Sequence, residues 1–483
     1  MNDISFLSAK QLTSLIRRRK LSSLELLDHY IDRIERYNPS LNAIITKDFD
    51  QARDSARIAD GDIANGVMRG PLHGLPMTVK ESFDVAGLPT TWGVPDQRGY
   101  KAKTDAVSVQ RLRQAGAIII GKSNVPIWLA DCQSFNEIYG ITRNPWDENR
   151  SPGGSSGGSA ASLAAGMTGL ELGSDIAGSI RNPAAHCGVF GHKPTMGICS
   201  TIGHTLNQNV APIDMLVIGP LARSAQDLEI GLKVIMGFDD IDSSALRITL
   251  PRPRKKQFKE FKISVLIDDN TVPVANEIQE QQQRLVDFLR SSGVSVDVGV
   301  RPDFDPWESH RIFDVLLRAT TSSRQTDDEF NSNSSQVSQL NPSDDTKWAR
   351  MLRGLTLSHR DWTTLNESRH RIRWKWHDFF TNYDLMLAPM TVTAAFPHNS
   401  TPPYERTILV DEEKQQFMNQ ISLAGYANLS YLPSTVAPIG FTKENLPVGV
   451  QIIGAQYQDR SCIRFARLLE KHYQKFKPSP HYK

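Results

Sequence analysis

Two turns rich in serine and glycine are the parts of this chain best suited to chemistry. The first is GGSSGGS at residues 153–159, and the second is DIAGS at residues 175–179. Small residues let a substrate approach the backbone closely, and backbone N–H groups can stabilise an oxyanion. Flexible serine–glycine linkers lack the apolar sequence that borders both turns here. The pattern favours a site that combines a serine hydroxyl with backbone donors.

Cleavage of an amide or ester through an acyl-enzyme also needs a base for the nucleophile's proton. The twelve histidines are scattered, and none lies in a GxSxG elbow. Lys80 ends the apolar stretch PMTVK, where burial would favour the neutral amine. Taken alone, such a lysine is more often a surface residue whose stem covers apolar side chains. Lys80 is therefore a candidate base that needs support from other motifs.

The segments around these residues predict an α/β fold. Strands are expected at residues 76–80, 117–120, 168–172, 263–267, 294–298 and 385–388. Helices are expected at residues 105–115, 159–165 and 275–289. This alternation predicts one large domain with a mixed, mostly parallel β-sheet surrounded by α-helices.

We divide the predicted single domain, residues 1–483, into three stretches. Residues 1–60 form N-terminal helices, which Ser8 and Ser22 are expected to cap, with Glu25 completing a capping box. Residues 61–240 form the core, and residues 241–483 continue the same sheet. Residues 320–346 are rich in Ser, Asp, Asn and Gln, which predicts a polar surface excursion.

Composition limits the partners and the compartment. The net charge is only +2, so nucleic acid is not expected as a partner. No stretch approaches the roughly 18 apolar residues that a membrane span requires. The four cysteines lack metal-site spacing, and no secretory signal is recognisable, which together predict a cytoplasmic protein with buried thiols. We expect no metal or other cofactor, and a homodimer is left open.

The order of Lys80, the tandem serines and the DIAGSIR turn resembles the amidase signature family. Its members carry a lysine, a GGSSGG run and a D-[IT]-[AG]-G-S-I-R turn. The resemblance covers about residues 10–470, apart from the polar segment. It includes LHGLPMTVKESFDVAGLPTTWG, IIIGKSNVP, NPWD, CGVFGHKPTMG, GPLARSAQDL and LPVGVQIIG. It implies that the chain is an amidase acting on a small-molecule amide.

The resemblance also assigns catalytic roles. It implies that Ser179 is the nucleophile, that Ser155 is a bridging serine and that neutral Lys80 is the base. The peptide bond between Gly154 and Ser155 is expected to be cis. Four backbone N–H groups are expected to face the oxyanion, those of Ile176, Ala177, Gly178 and Ser179.

The resemblance also implies substrate contacts from the segment after SNVP, which here contains Trp128, Leu129, Ala130, Asp131 and Cys132. Leu129 and Ile176 suggest an apolar wall for a neutral aryl or alkyl group, whereas Asp131 would suit a substrate bearing an amine. Ser156 either hydrogen-bonds Lys80 or stabilises its own turn. Beside the nucleophile turn, the opposite charges of residues 175 and 181 (Asp and Arg) predict a structural clamp.

Three other functions are alternatives to an amidase. A phosphate-binding P-loop is excluded because the glycines lack a following GK[ST]. Glutaminase subunits of tRNA-dependent amidotransferases share this signature but usually have a KD-type sequence after the lysine. Here Glu81-Ser82-Phe83 follows, as in stand-alone amidases. A catalytically silent binding protein would be favoured by loss of a triad residue, and all three are present.

Overall fold

The computed structural model describes residues 3–206 and 209–483. The strands are β1 (Ile44–Lys47), β2 (Pro76–Lys80), β3 (Ile118–Ser123), β4 (Phe135–Asn136), β5 (Gly140–Ile141), β6 (Glu171–Asp175), β7 (Phe190–Lys193), β8 (Val217–Ala222), β9 (Lys262–Val265), β10 (Ser295–Val298), β11 (Leu385–Pro389), β12 (Thr407–Val410), β13 (Glu413–Gln416), β14 (Ser434–Phe441) and β15 (Pro447–Gly454).

Helices surround these strands. They are α1 (Ala9–Arg17), α2 (Ser23–Leu41), α3 (Phe49–Ala64), α4 (Val107–Gln114), α5 (Gly157–Ala164), α6 (Arg181–Cys187), α7 (Ala225–Ile235), α8 (Asn276–Ser291), α9 (Pro306–Thr321), α10 (Asp327–Gln339), α11 (Lys347–Leu355), α12 (His359–Asn382), α13 (Gly425–Leu429) and α14 (Asp459–His472). Within the described residues, none of them has the length and apolar character that crossing a bilayer requires.

One eleven-stranded sheet has the order β1-β3-β2-β6-β8-β7-β14-β15-β11-β9-β10. It draws strands from most of the chain, so the predicted single α/β domain with a mixed sheet is confirmed. Parallel pairing is confined to β3-β2-β6 and β11-β9-β10. The other neighbours are antiparallel, which makes six of the ten described pairs antiparallel and corrects the emphasis on parallel strands. The β14–β15 hairpin illustrates the reason, because antiparallel strands need no crossover helix.

Several local predictions are confirmed. Ser8 and Ser22 cap α1 and α2, and both caps are complete capping boxes. Strand β2 has the predicted bounds. Strand β6, however, begins at Glu171 rather than at Thr168, because the Thr168 hydroxyl instead accepts the Thr78 N–H and donates to a nearby carbonyl. Strand β6 ends at Asp175, which is the first residue of the DIAGS turn.

The polar segment is helical rather than irregular. Helix α10 carries no buried residue, so its predicted surface location is confirmed. A capping box between Thr326 and Glu329 starts this helix. The turn before it lies closer to the interior, because Arg324 there contacts a cavity described below.

Strands β2 and β6 position the two motifs. They are parallel neighbours in which Val79 lies opposite Leu172. Lys80 and Asp175 therefore lie at the ends of adjacent strands, on the same edge of the sheet. Helix α5, which starts at the first serine turn, is buried along its whole length. A side chain at its Gly158 would lie 2.6 Å from the Ala43 carbonyl oxygen, so the close packing requires glycine.

Candidate active site

Lys80 ends β2 and is fully buried. Its Nζ donates to the hydroxyl oxygens of Ser155, at 2.6 Å, and Ser174, at 2.9 Å. Burial lowers the pKa of Lys80 to about 7, although the carboxylates of Asp175 and Glu81 act in the opposite direction. A substantial fraction of the amine is therefore neutral at neutral pH and able to accept a proton.

The turn that carries Ser155 is tightly enclosed. The peptide bond between Gly154 and Ser155 is cis, as the resemblance implies. A side chain at Gly154 would lie 2.5 Å from the Asp131 carbonyl oxygen, so only glycine fits there. The preceding Gly153 has φ of +88°, a backbone conformation that L-residues with side chains rarely adopt.

The turn that carries Ser179 contacts the first turn directly. The Ser179 carbonyl accepts the Ser156 N–H at 3.1 Å. The side chains of Ser155 and Ser179 line the same cavity. Between their hydroxyls, no hydrogen bond forms in the described part of the chain. The two predicted catalytic serines are thus brought together, and proton transfer between them requires their hydroxyls to reorient.

Asp175 and Arg181 clamp the second turn as predicted. Their side chains form an ion pair at 3.0 Å, and neither is exposed. Burial alone would raise the pKa of the Asp175 carboxyl, but Arg181 and the hydrogen bonds outweigh it and hold that pKa below its usual range. The carboxylate also accepts the N–H groups of Gly178, at 2.8 Å, and Ile180, at 3.1 Å. Asp175 therefore stays ionised and fixes the turn.

That contact alters the predicted oxyanion site. Because the Gly178 N–H donates to Asp175, it is not available to an oxyanion in this structure. The N–H groups of Ile176, Ala177 and Ser179 have no acceptor among the described residues. Three of the four predicted donors are thus free.

Ser156 does not contact Lys80. Its hydroxyl donates to the Ser174 carbonyl at 3.4 Å, and the residue precedes α5, so its role is in the turn. The second partner of Lys80 is Ser174, which sequence analysis missed. The available signal was a serine in strand β6, one residue before the DIAGS turn. Ser156 also does not line the cavity, which corrects its assignment to substrate binding.

The cavity above the serines holds about 730 Å³ of free space, including its opening to solvent. Trp128, Leu129 and Ala130 line it as predicted, and Trp92 adds a second aromatic wall. Asp131 also lies there, but its carboxylate pairs with the Arg406 guanidinium at 2.7 Å. Both side chains of this pair are nearly buried. Asp131 is therefore already neutralised, which contradicts its predicted role as a receptor for an amine.

The same cavity contains two arginines that the sequence did not predict as site residues, Arg318 and Arg324. Arg318 belongs to α9, and Arg324 follows that helix in the short turn before α10. They lie far along the chain from the serine motifs, and no local pattern marked them. Their only sequence signal was their positive charge. Arg318 lies just before the polar segment of residues 320–346 and Arg324 lies within it, and the other charged residues of that segment are carboxylates.

Comparison with known proteins identifies the family of this chain. The family model "Amidase" matches residues 25–463. The indoleacetamide hydrolase of Bradyrhizobium diazoefficiens is 31% identical, over 96% of this chain and 86% of that protein. One subunit of the Legionella pneumophila glutamyl-tRNA(Gln) amidotransferase is also 31% identical, over 96% of this chain and 97% of its own length. A crystal structure of an amidase superposes with a TM-score of 0.79 at 26% identity, over 97% of this chain and 100% of that one.

The fold and the sequence similarity to known amidases together define an amidohydrolase, an enzyme that acts on C–N amide bonds. The chain belongs to the amidase family.

Proposed function

We propose that this enzyme hydrolyses a carboxylic acid amide to the acid and ammonia or an amine, through an acyl-enzyme on Ser179. The observation that carries the proposal is the hydrogen bond of 2.6 Å from buried Lys80 to Ser155, beside a cavity that Ser179 also lines. A buried amine with a pKa of about 7 can accept a proton at physiological pH.

In the first half-reaction the Ser179 oxygen attacks the amide carbonyl carbon. Ser155 takes the proton of Ser179 and passes its own proton to neutral Lys80. The carbonyl oxygen becomes an oxyanion, which the N–H groups of Ile176, Ala177 and Ser179 stabilise. The proton then returns through Ser155 to the leaving nitrogen, and the C–N bond breaks.

In the second half-reaction water replaces the amine. It attacks the ester carbon of acylated Ser179, and its proton follows the same path to Lys80. Collapse of the tetrahedral intermediate releases the acid and returns the proton to Ser179. Protons, bonds and charges balance over the cycle, in which one water molecule is consumed for each amide cleaved. We assign this reaction to the cytoplasm, where four free buried cysteines are compatible with reducing conditions.

A glutaminase subunit of an amidotransferase is the second candidate, because the chain is 31% identical both to the hydrolase and to the amidotransferase protein. The residue after the lysine favours a stand-alone enzyme. Here it is Glu81, whose buried carboxylate accepts the Trp92 N–H at 2.9 Å and so supports the cavity wall. Co-purification of the native protein with a second subunit would favour the glutaminase.

The proposal is tested by incubating the purified chain with indoleacetamide, glutamine and neutral anilides and measuring the released acid and amine. Ser179→Ala should abolish turnover of every amide that the wild type cleaves. Ser338→Ala, on the exposed helix α10, is the matched control and should retain full activity. Undiminished hydrolysis by Ser179→Ala would refute the acyl-enzyme.

A further inference from the structure

The cavity that contains the serines carries an unbalanced positive charge. Arg318 and Arg324 both line it, and neither forms an ion pair with any described carboxylate. Asp131 also lines the cavity, but its carboxylate pairs at 2.7 Å with Arg406, which does not line it. Arg406 is therefore neutralised by a carboxylate, whereas Arg318 and Arg324 have no such partner among the described residues.

Both guanidinium groups have donors to spare. Arg318 Nε donates to the Tyr404 hydroxyl at 2.8 Å, and Arg324 Nη1 donates to the Trp128 carbonyl at 2.9 Å. A guanidinium has five N–H donors, so each group can bind a further acceptor without losing its present partner. These contacts orient the two side chains and leave most of their donors unused.

Arg324 is also held in a restricted position. Its guanidinium lies 5.3 Å from the ring centre of Trp92 and 5.9 Å from that of Trp128. Burial and the nearby charge of Arg318 lower the pKa of Arg324 to about 10, so the group remains charged at neutral pH. Two partly desolvated like charges at one cavity destabilise each other, and a bound anion would relieve this.

Among the described residues, no carboxylate of the chain fills this role. Asp328 and Glu329 line an adjoining depression with the two arginines but lie outside ion-pair distance. Glu329 accepts the Thr326 N–H at 2.7 Å in the capping box of α10. The anion must therefore come from outside the chain.

We propose that the substrate is an amide that carries a carboxylate on an apolar or aromatic body, with Arg318 and Arg324 binding that carboxylate. This inference rests on the proposed amide hydrolysis. The tryptophans and aliphatic side chains of the cavity contact the body, and a planar carboxylate matches the fork of a guanidinium. The two arginines are thus specificity-determining residues rather than parts of the proton relay.

Binding tests the inference without turnover. The Ser179→Ala variant is titrated calorimetrically with arylcarboxylates from benzoate to phenylpentanoate, and with the alcohols of equal length. At least one acid should bind about 10- to 100-fold more tightly than its alcohol, as expected for hydrogen bonds between charged groups. Adding Arg324→Gln or Arg318→Gln should remove most of this preference.

Arg373→Gln is the matched control. Arg373 also lies over an aromatic ring, at 4.7 Å from the centre of Tyr431, but outside the cavity. This change should leave the preference for the acid intact. Arg324→Lys keeps the charge and should retain part of the preference, which guards against misfolding of the glutamine variant.

Turnover separates the two proposals. Glutaryl nitroanilide and neutral hexanoyl nitroanilide are compared, together with acetanilides bearing a para carboxylate or a para methyl group. A higher kcat/KM for a carboxylate-bearing member, lost in Arg324→Gln, supports the inference. Equal binding of acids and alcohols, no binding of any acid, or a preference that survives both arginine changes would overturn it. Cleavage of a neutral anilide that depends on Ser179 would still uphold the proposed function.

Discussion

Lys80 Nζ lies 2.6 Å from the Ser155 hydroxyl oxygen, and both residues are buried. The separation is that of a strong hydrogen bond, and the surroundings disfavour the ammonium form. Carboxylates at Asp175 and Glu81 limit that effect, so the pKa of Lys80 is lowered to about 7 rather than further.

The rate should follow the protonation of Lys80. Below pH 7 the amine is protonated and cannot accept a proton, so kcat/KM should rise with pH, about tenfold per unit, and level off above pH 7. Lys80→Met should lower kcat/KM by about 100- to 10,000-fold, the usual contribution of general base catalysis. Steady-state kinetics between pH 5 and pH 9 measure both effects.

Lys193→Met is the control for that profile. Burial also lowers the pKa of Lys193 to about 7, but its Nζ donates to the carbonyls of Pro194 and Leu432, and it does not line the cavity. The pH profile should persist in any folded Lys193→Met protein. If the pH dependence of kcat/KM disappears in Lys193→Met, or if Lys80→Met keeps near-normal activity, Lys80 is not the base.

Ser174 should orient Lys80, and Ser156 should not. Ser174→Ala removes one acceptor of the Lys80 ammonium, so the pKa seen in kcat/KM should fall further and the rate at pH 8 should drop by about tenfold, as for one lost hydrogen bond to a charged group. Ser156→Ala is the matched control and should leave the apparent pKa unchanged. The same kinetics measure both variants, and the reverse pattern would contradict the contacts of Lys80.

The Asp175–Arg181 pair should stabilise the fold. Asp175→Asn leaves Arg181 buried without a counter-charge, which should lower the free energy of unfolding at pH 7 by about 3 to 5 kcal/mol. Because the folded-state pKa of Asp175 lies below its unfolded value, its stabilisation is present above about pH 4 and is lost as the pH falls further. Urea unfolding at pH 7 and at pH 3 measures both. If Asp175→Asn lowers the free energy of unfolding equally at the two pH values, the carboxylate of Asp175 is not the source of the stabilisation.

Features with local sequence signals could be predicted. The end of β2 at Lys80 follows from one apolar stretch, and the caps at Ser8 and Ser22 follow from adjacent hydrogen-bonding residues. Charges whose partners are distant in sequence could not be assigned. Asp131 seemed free because Arg406, its partner, enters from the C-terminal half of the chain.

Backbone hydrogen bonds were equally hard to foresee. The resemblance to the amidase signature family implied four N–H groups facing the oxyanion, but the Asp175 carboxylate lies where it accepts the N–H of Gly178. The sequence likewise left open whether Ser156 pairs with Lys80. The observed partner, Ser174, lies outside the strand predicted at residues 168–172, so its position beside Lys80 could not be foreseen.

Packing of α5 gives a further prediction. A methyl group at Gly158 would lie 2.6 Å from the Ala43 carbonyl oxygen, so Gly158→Ala should destabilise the fold by about 1 to 3 kcal/mol. Gly61, in helix α3, has open space around it, and Gly61→Ala should instead stabilise by about 0.5 to 1 kcal/mol. Thermal unfolding distinguishes the signs, and a stabilising Gly158→Ala would contradict the tight packing.

Covalent labelling tests the central claim, that Ser179 is acylated and Ser155 only relays its proton. Wild type, Ser155→Ala and Ser179→Ala are mixed with a reactive nitrophenyl ester and sampled within one turnover by mass spectrometry of intact protein and peptides. Wild type should carry one acyl group on the peptide containing Ser179, Ser155→Ala should acquire it slowly, and Ser179→Ala should acquire none. An adduct on Ser179→Ala together with none on Ser155→Ala would reverse the two serines.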